Sequence, residues 1–217
     1  AYMVATAADQ FATESHWLLD ARGKLDKAMV RSLMRTVSDA GEPVLIVGTA
    51  LSFLHLIDCF EKDVPGPLPI GSRIMETGGF KGSSRQTTRD ELRQRLFEVI
   101  GIPGERVVNE YGMTELLSQM YEPILTEGPG AAGTHIGPPW LRVRALDPLT
   151  LEELPSGEEG LLAFFDLANI GSVCHILTED LGSVIEGRVH LVGRVLGADP
   201  RGCSRAMDEL MLAANAP

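Results

Sequence analysis

The chain has 217 residues, enough for one sizeable core with a small accessory lobe. Its apolar fraction of 44% and charged fraction of 23% are those of a soluble globular protein, and no run is long and apolar enough to span a membrane. A net charge of −11 argues against a nucleic-acid partner, whose phosphates need clustered Lys and Arg, but leaves open a single nucleotide met by a metal and a few local donors.

The chain opens Ala1-Tyr2-Met3, without an initiator methionine and without a basic segment leading into an apolar stretch. The expectation is a fragment whose parent carries more sequence ahead of it. Leu25, Met29, Leu33 and Val37 recur every fourth residue, which predicts an amphipathic helix over 24–38, ended by Gly41 and Pro43. Val44-Leu45-Ile46-Val47 has the length and continuous apolarity of a parallel strand covered on both faces, and 50–60 reads as the crossover helix. Pro65, Gly66, Pro67 and Pro69 predict a surface loop. A strand follows over 72–76 and ends at Gly78-Gly79. Thr88 and Glu91 have capping-box spacing for a helix bearing Leu92, Leu96, Phe97 and Ile100, with Gly101 as its C-cap. Val107-Val108 restores a strand. This alternation predicts a doubly wound parallel α/β layer over 1–123.

Asn109-Glu110-Tyr111-Gly112-Met113-Thr114-Glu115 comes next, with a helical turn expected over 116–120. The stretch would then sit where a strand gives way to a helix, the edge at which open α/β sheets bind ligands. Tyr111 can stack on a purine, Gly112 admits close backbone approach, Thr114 can bond a phosphate oxygen and Glu115 offers Mg²⁺ a hard oxygen. Equally, Tyr111 suits a core aromatic, Thr114 an N-cap and Glu115 a first-turn acid. Gly78-Gly79 likewise suits either ligand approach beneath Phe80 or a tight turn, and Lys81 and Arg85 either phosphate or solvent.

After Pro123 the pattern changes. Leu141, Val143 and Ala145 alternate with Arg142 and Arg144, Asp147-Pro148 supplies a turn, and 161–165 is apolar. A second hairpin is expected over 184–192, broken at Glu186-Gly187. Together these predict an antiparallel β lobe over 124–195, followed by a segment over 196–217 that carries Cys203. Asp180 reads as a loop residue whose two carboxylate oxygens could take ribose hydroxyls, and Arg194 as a phosphate, ribose or salt-bridge residue. Cys59, Cys174 and Cys203 are odd in number and lack disulfide or metal spacing, which fits a reducing cytoplasm. Cys59 suits a small apolar filler of its helix, whereas Cys203 lies between Arg201 and Arg205, whose charge favours the thiolate. The histidines at 135, 175 and 190 are too scattered for a metal signature.

Asn109 to Glu115 resembles the Tyr-Gly-x-Thr-Glu motif of the adenylate-forming ligase superfamily. Together with Glu76 to Gly82 it is similar to the LuxE-type acyl-protein synthetases of the bacterial bioluminescence fatty-acid reductase system. Thr178-Glu179-Asp180 resembles the superfamily's Thr-Gly-Asp motif with Glu179 in place of glycine, Gly193-Arg194 its hinge, and Pro200 to Ser204 the segment bearing the acyl-accepting cysteine. The likeness runs in order from about Val44 to Leu210. It implies that a fatty acid or another small carboxylate reacts with ATP to give acyl-AMP, and that the acyl group passes to Cys203 and then to a reductase partner. It further implies that Gly78 and Gly79 wall a nucleotide pocket. Within that pocket, Tyr111 would contact adenine, Gly112 would let the backbone approach the nucleotide, and Thr114 would meet phosphate, Glu115 Mg²⁺, Asp180 ribose and Arg194 phosphate or ribose. The superfamily's Gly-, Ser- and Thr-rich phosphate loop has no match before Val44, and its C-terminal lobe with a catalytic lysine has none either. An acyl- or aryl-CoA ligase of the same superfamily and a non-catalytic adenylate-binding domain are the alternatives.

Overall fold

The computed structural model describes residues 2–20, 24–60, 66–79 and 87–195. Helix α1 (Tyr2–Phe11) adds to the expected elements, over a stretch whose alanines favour helix. Helix α2 (Lys27–Ala40) starts later than its apolar spacing suggests, because the Asp26 side chain caps it by accepting from Met29 N at 2.9 Å. Leu25 instead pairs with Leu19 in an isolated bridge. Gly41 closes α2 in the left-handed region, φ 70°, where its N–H reaches the carbonyls of Val37 and Ser38.

Strand β1 (Leu45–Thr49) runs directly into α3 (Ala50–Phe60), whose Leu51, Phe53, Leu54, Leu56, Ile57 and Phe60 are all buried. A helix so apolar on several faces is a core element. Strand β2 (Arg73–Thr77) pairs parallel with β1, and α4 (Arg89–Ile100) then leads to β3 (Val107–Tyr111), parallel to β2. The expected capping box of α4 is formed: Glu91 N donates to Thr88 Oγ1 at 3.1 Å and Thr88 N to Glu91 Oε2 at 2.7 Å. Helices α3 and α4 pack on one another, and with α2, β2 and β3 they enclose the first core, centred on Phe60, Ile74, Leu96 and Ile100. Cys59 is half-buried against that core.

The helical turn expected over 116–120 is absent. Residues 112–119 form a loop, and β4 (Met120–Tyr121) returns antiparallel to β3. Helix propensity in five residues is a weak signal, and here β3 recruits Met120 and Tyr121 as a sheet neighbour instead. The first sheet therefore has the order β1-β2-β3-β4.

A short helix α5 (Ile124–Glu127) and a 3₁₀ turn precede the second sheet, so the expected β region opens with helix. That sheet is antiparallel, in the order β5 (Thr134–His135), β9 (Arg188–Arg194), β8 (His175–Ile185), β7 (Gly160–Asp166) and β6 (Leu141–Leu146). Both expected hairpins are present. Glu186 (φ 51°) and Gly187 (φ 79°) make the two-residue turn between β8 and β9. Asp180, expected in a loop, lies in strand, because β8 begins nine residues before the run at 184 that predicted it and pairs on both edges. Leu116, Met120, Leu141, Leu162, Phe164 and Val189 form the second core, against which Tyr111 and Met113 also pack. The end of β3 thus stays paired in the first sheet while its Tyr111 side chain packs into the core of the second.

Candidate active site

The parallel strands β2 and β3 end side by side. Their last mutually paired residues are Thr77 and Glu110, so Gly78-Gly79 leaves the sheet here, while Tyr111 still pairs with Met120 of β4 and Gly112 follows it out at the same edge. Gly78 has φ 82°, a conformation that favours glycine. A Cβ on Gly112 would lie 2.5 Å from Glu110 Oε1, on a carboxylate that Thr77 Oγ1 already holds as hydrogen-bond donor. Thr114 and Glu115 follow in the loop, both exposed.

Tyr111 is fixed on three sides. Its ring stacks on Phe164 at a centroid distance of 5.7 Å and meets the His135 ring edge-on at 6.4 Å. Its hydroxyl donates to Asp180 Oδ2 at 2.7 Å, across 69 residues of sequence. Burial and the neighbouring Asp180 charge push the phenol well above its usual pKa, so the hydroxyl keeps its proton and the bond is charge-assisted. Asp180 also faces Arg194 Nε at 3.1 Å, its register partner across β8 and β9. Arg194 in turn pairs with Glu179 at 2.9 Å. Glu179, the residue that departs from the family's glycine, therefore supplies a second carboxylate to Arg194.

Beneath this edge lies a buried polar chain that sequence reasoning missed. Asn109 Nδ2 donates to Glu76 Oε1 at 2.8 Å, which leaves Asn109 Oδ1 to accept from His135 Nε2 at 2.7 Å. Glu122 accepts from Asn109 N at 3.0 Å and from Gly133 N at 2.7 Å, and pairs with Arg93. Burial pushes Glu76 up to about 7, against the lowering influence of Arg89. Burial likewise depresses His135 to about 3, helped by the charges of Arg89 and Arg93. Glu76 and Asn109 lay inside the recognised motifs, but no spacing rule linked them to His135.

The fold thus gathers Gly78, Gly79, Tyr111, Gly112, Thr114 and Glu115 at one sheet edge, and Tyr111 joins Asp180 and Arg194 to them. Cys203, Phe80, Lys81 and Arg85 lie outside the described residues. Among the described residues no group of three or more His, Cys, Asp or Glu could hold a metal ion by itself, and no helix is long and apolar enough to cross a membrane.

The family model for acyl-protein synthetase, LuxE, matches residues 1–212. The chain belongs to the LuxE acyl-protein synthetase family. It is 30% identical over 194 residues to a long-chain-fatty-acid–luciferin-component ligase of Vibrio harveyi, covering 84% of this chain and 49% of that protein. A ligase of the same description from Aliivibrio fischeri is 26% identical over 191 residues, with 82% and 48% covered. This family member therefore spans about half the length of the curated relatives it matches. Among solved structures, ATP-bound MatB from Rhodopseudomonas palustris superposes with a TM-score of 0.52 at 19% identity, covering 79% of this chain and 33% of that one. McyG A-PCP complexed with phenylalanyl-adenylate gives 0.53 at 14% identity, over 78% and 33%. These likenesses establish the architecture as part of an adenylate-forming fold.

Proposed function

We propose that this chain is the part of an acyl-protein synthetase that binds the adenylate and accepts the acyl group. The Tyr111–Asp180 hydrogen bond carries this reading, because it unites two motifs far apart in sequence at the end of the parallel strands. The curated relatives are fatty-acid ligases, and two of the similar folds were solved with ATP or an acyl-type adenylate. In the proposed site adenine lies beside Tyr111 and Gly112, walled by Gly78 and Gly79. Asp180 takes the ribose hydroxyls, exchanging its Arg194 contact for them, and Arg194 turns toward phosphate. Thr114 contacts phosphate.

Glu115 suits Mg²⁺, which is commonly held by one or two carboxylates plus substrate phosphates. When bound, that ion neutralises phosphate charge. A fatty-acid carboxylate oxygen attacks the α-phosphorus, pyrophosphate leaves, and acyl-AMP forms. The Cys203 thiolate then attacks the acyl carbon, AMP departs with the bonding electron pair, and a thioester remains for an acyl-reductase partner in the cytoplasm. Residues 1–123 and 124–195 supply the two walls of this site, and 196–217 brings the thiol.

Preformed fatty acyl-adenylate offered to the chain tests the reading without requiring a phosphate loop. Intact mass should show an acyl adduct that hydroxylamine removes, present on wild type and on Cys174→Ser, absent from Cys203→Ser. Equal labelling of the Cys203→Ser chain would reject Cys203 as acceptor.

A further inference from the structure

The loop over 112–119 bears the side chains assigned to phosphate and magnesium, yet it contains neither helix nor strand. Its internal backbone bond is Leu116 N to Met113 O at 3.2 Å. Further anchorage comes from Asp166, the last residue of β7, and from Asn169 in the connection to β8. Asp166 Oδ2 accepts from Leu117 N at 3.1 Å and Ser118 N at 2.9 Å, while its Oδ1 accepts from Ser118 Oγ at 2.8 Å and Ala168 N at 3.0 Å. Asn169 Oδ1 accepts from Leu117 N at 3.1 Å, and its Nδ2 donates to Glu115 O at 2.7 Å and to Val173 O at 3.2 Å. Trp140 Nε1 completes the hub by donating to Ser118 Oγ at 3.0 Å.

Both anchoring side chains are shut off from water, Asp166 at 0% and Asn169 at 2% exposure. Burial raises the Asp166 carboxyl, and its donors from Ser118, Ala168 and Leu117 bring it below the usual carboxylate range. A buried carboxylate with four donors is costly to displace, since each donor left unpaired carries a desolvation penalty. Thr114 and Glu115 are exposed, and the carbonyl of Glu115 is gripped directly by Asn169. The second sheet thus dictates where a loop growing from the first sheet presents its polar side chains.

We infer that Asp166 and Asn169 are positioning residues that place Thr114 and Glu115 for the phosphates and magnesium of MgATP. This rests on the assignment of those two side chains made above. Neither residue touches the nucleotide; each acts through the loop backbone. AMP, which lacks the β- and γ-phosphates, depends mainly on the Tyr111 and Asp180 side of the site, so the two ligands separate positioning from general damage.

Calorimetric affinities for AMP and MgATP are to be compared in wild type, Asn169→Ala and Ser118→Ala, alongside amide exchange over 115–118. Asn169→Ala should weaken MgATP about tenfold and AMP less than about twofold, the loss expected for one or two hydrogen bonds. Exchange at Leu117 and Ser118 should quicken while Leu96 and Ile100 stay protected. Ser118→Ala, which keeps every backbone bond to Asp166, should shift MgATP in the same direction by about two- to threefold and decides the matter where Asn169→Ala does not fold. Equal weakening of both ligands, or unchanged MgATP affinity with faster loop exchange, overturns the inference while leaving the nucleotide site intact. A wild type that binds AMP but not MgATP more tightly than AMP overturns the Thr114 and Glu115 assignment and this inference with it.

Discussion

Removing the Tyr111 hydroxyl deprives a half-buried Asp180 of a charge-assisted donor without disturbing the ring stack on Phe164. Tyr111→Phe should therefore lower unfolding stability by about 1–2 kcal/mol, read as a shift of the urea midpoint at constant slope. An unchanged midpoint would mean that the bond contributes nothing net. Under the proposed function the same variant leaves Asp180 free to take ribose, so AMP affinity should fall less in Tyr111→Phe than in Asp180→Asn. The identities of Tyr111, Asp180 and Arg194 were legible as motif members. Their mutual contact was not, because a 2.7 Å bond across 69 residues is made by strand packing and leaves no local pattern.

Two helices that end in the same way make a controlled comparison at the scale of elements. Gly41 and Gly101 both cap a helix at φ 70°, and both were readable from glycine placement after an apolar face. A Cβ at Gly41 meets nothing within 4 Å, whereas one at Gly101 falls 2.7 Å from Pro67 Cβ and 3.1 Å from Pro67 Cα. Gly41→Ala should cost about 1–2 kcal/mol, the penalty of the left-handed backbone alone. Gly101→Ala should cost more, because the segment from Pro67 is pinned by Leu68 N donating to Ile100 O at 2.9 Å and must shift. Thermal denaturation of the two variants checks the order, and equal losses would show that the segment yields freely. Helix α3, α4 and the β8–β9 turn were predictable because caps, crossover length and turn residues are local. The loop over 112–119 was not, since its hydrogen bonds come from Asp166 and Asn169.

Across the whole molecule, Glu76 and His135 act in opposite senses on acid stability through the Asn109 bridge. Glu76, ordinarily near 4.5, is raised to about 7, so its contribution is full below 4.5 and is lost as pH climbs toward 7. His135, ordinarily near 6.5, is depressed to about 3, so its contribution is present above 6.5 and is lost as pH falls toward 3. Between those two ordinary values the opposing slopes, each about 1.4 kcal/mol per pH unit at most, largely cancel. The pair therefore adds little slope there, and Glu76→Gln should expose the histidine slope, with stability rising by roughly 2–3 kcal/mol over that interval relative to wild type. Urea denaturation at a series of pH values measures it, and parallel profiles for the two proteins would dismiss the linkage.

Sequence by itself determined the alternation of strands and helices, the change to antiparallel hairpins after Pro123 and the family, and it nominated the residues assigned to the proposed site. These follow from periodicity, capping chemistry and ordered motifs, all of which act over a few residues. Tertiary structure decided that Tyr111 of β3 packs into the second core, that Asp180 lies in strand, that 116–120 is loop and β4, and that Glu76, Asn109 and His135 form one buried chain. Each of those depends on which distant backbone donors, carboxylates and rings are brought within hydrogen-bonding or stacking distance, and only the packing of the two sheets brings them there.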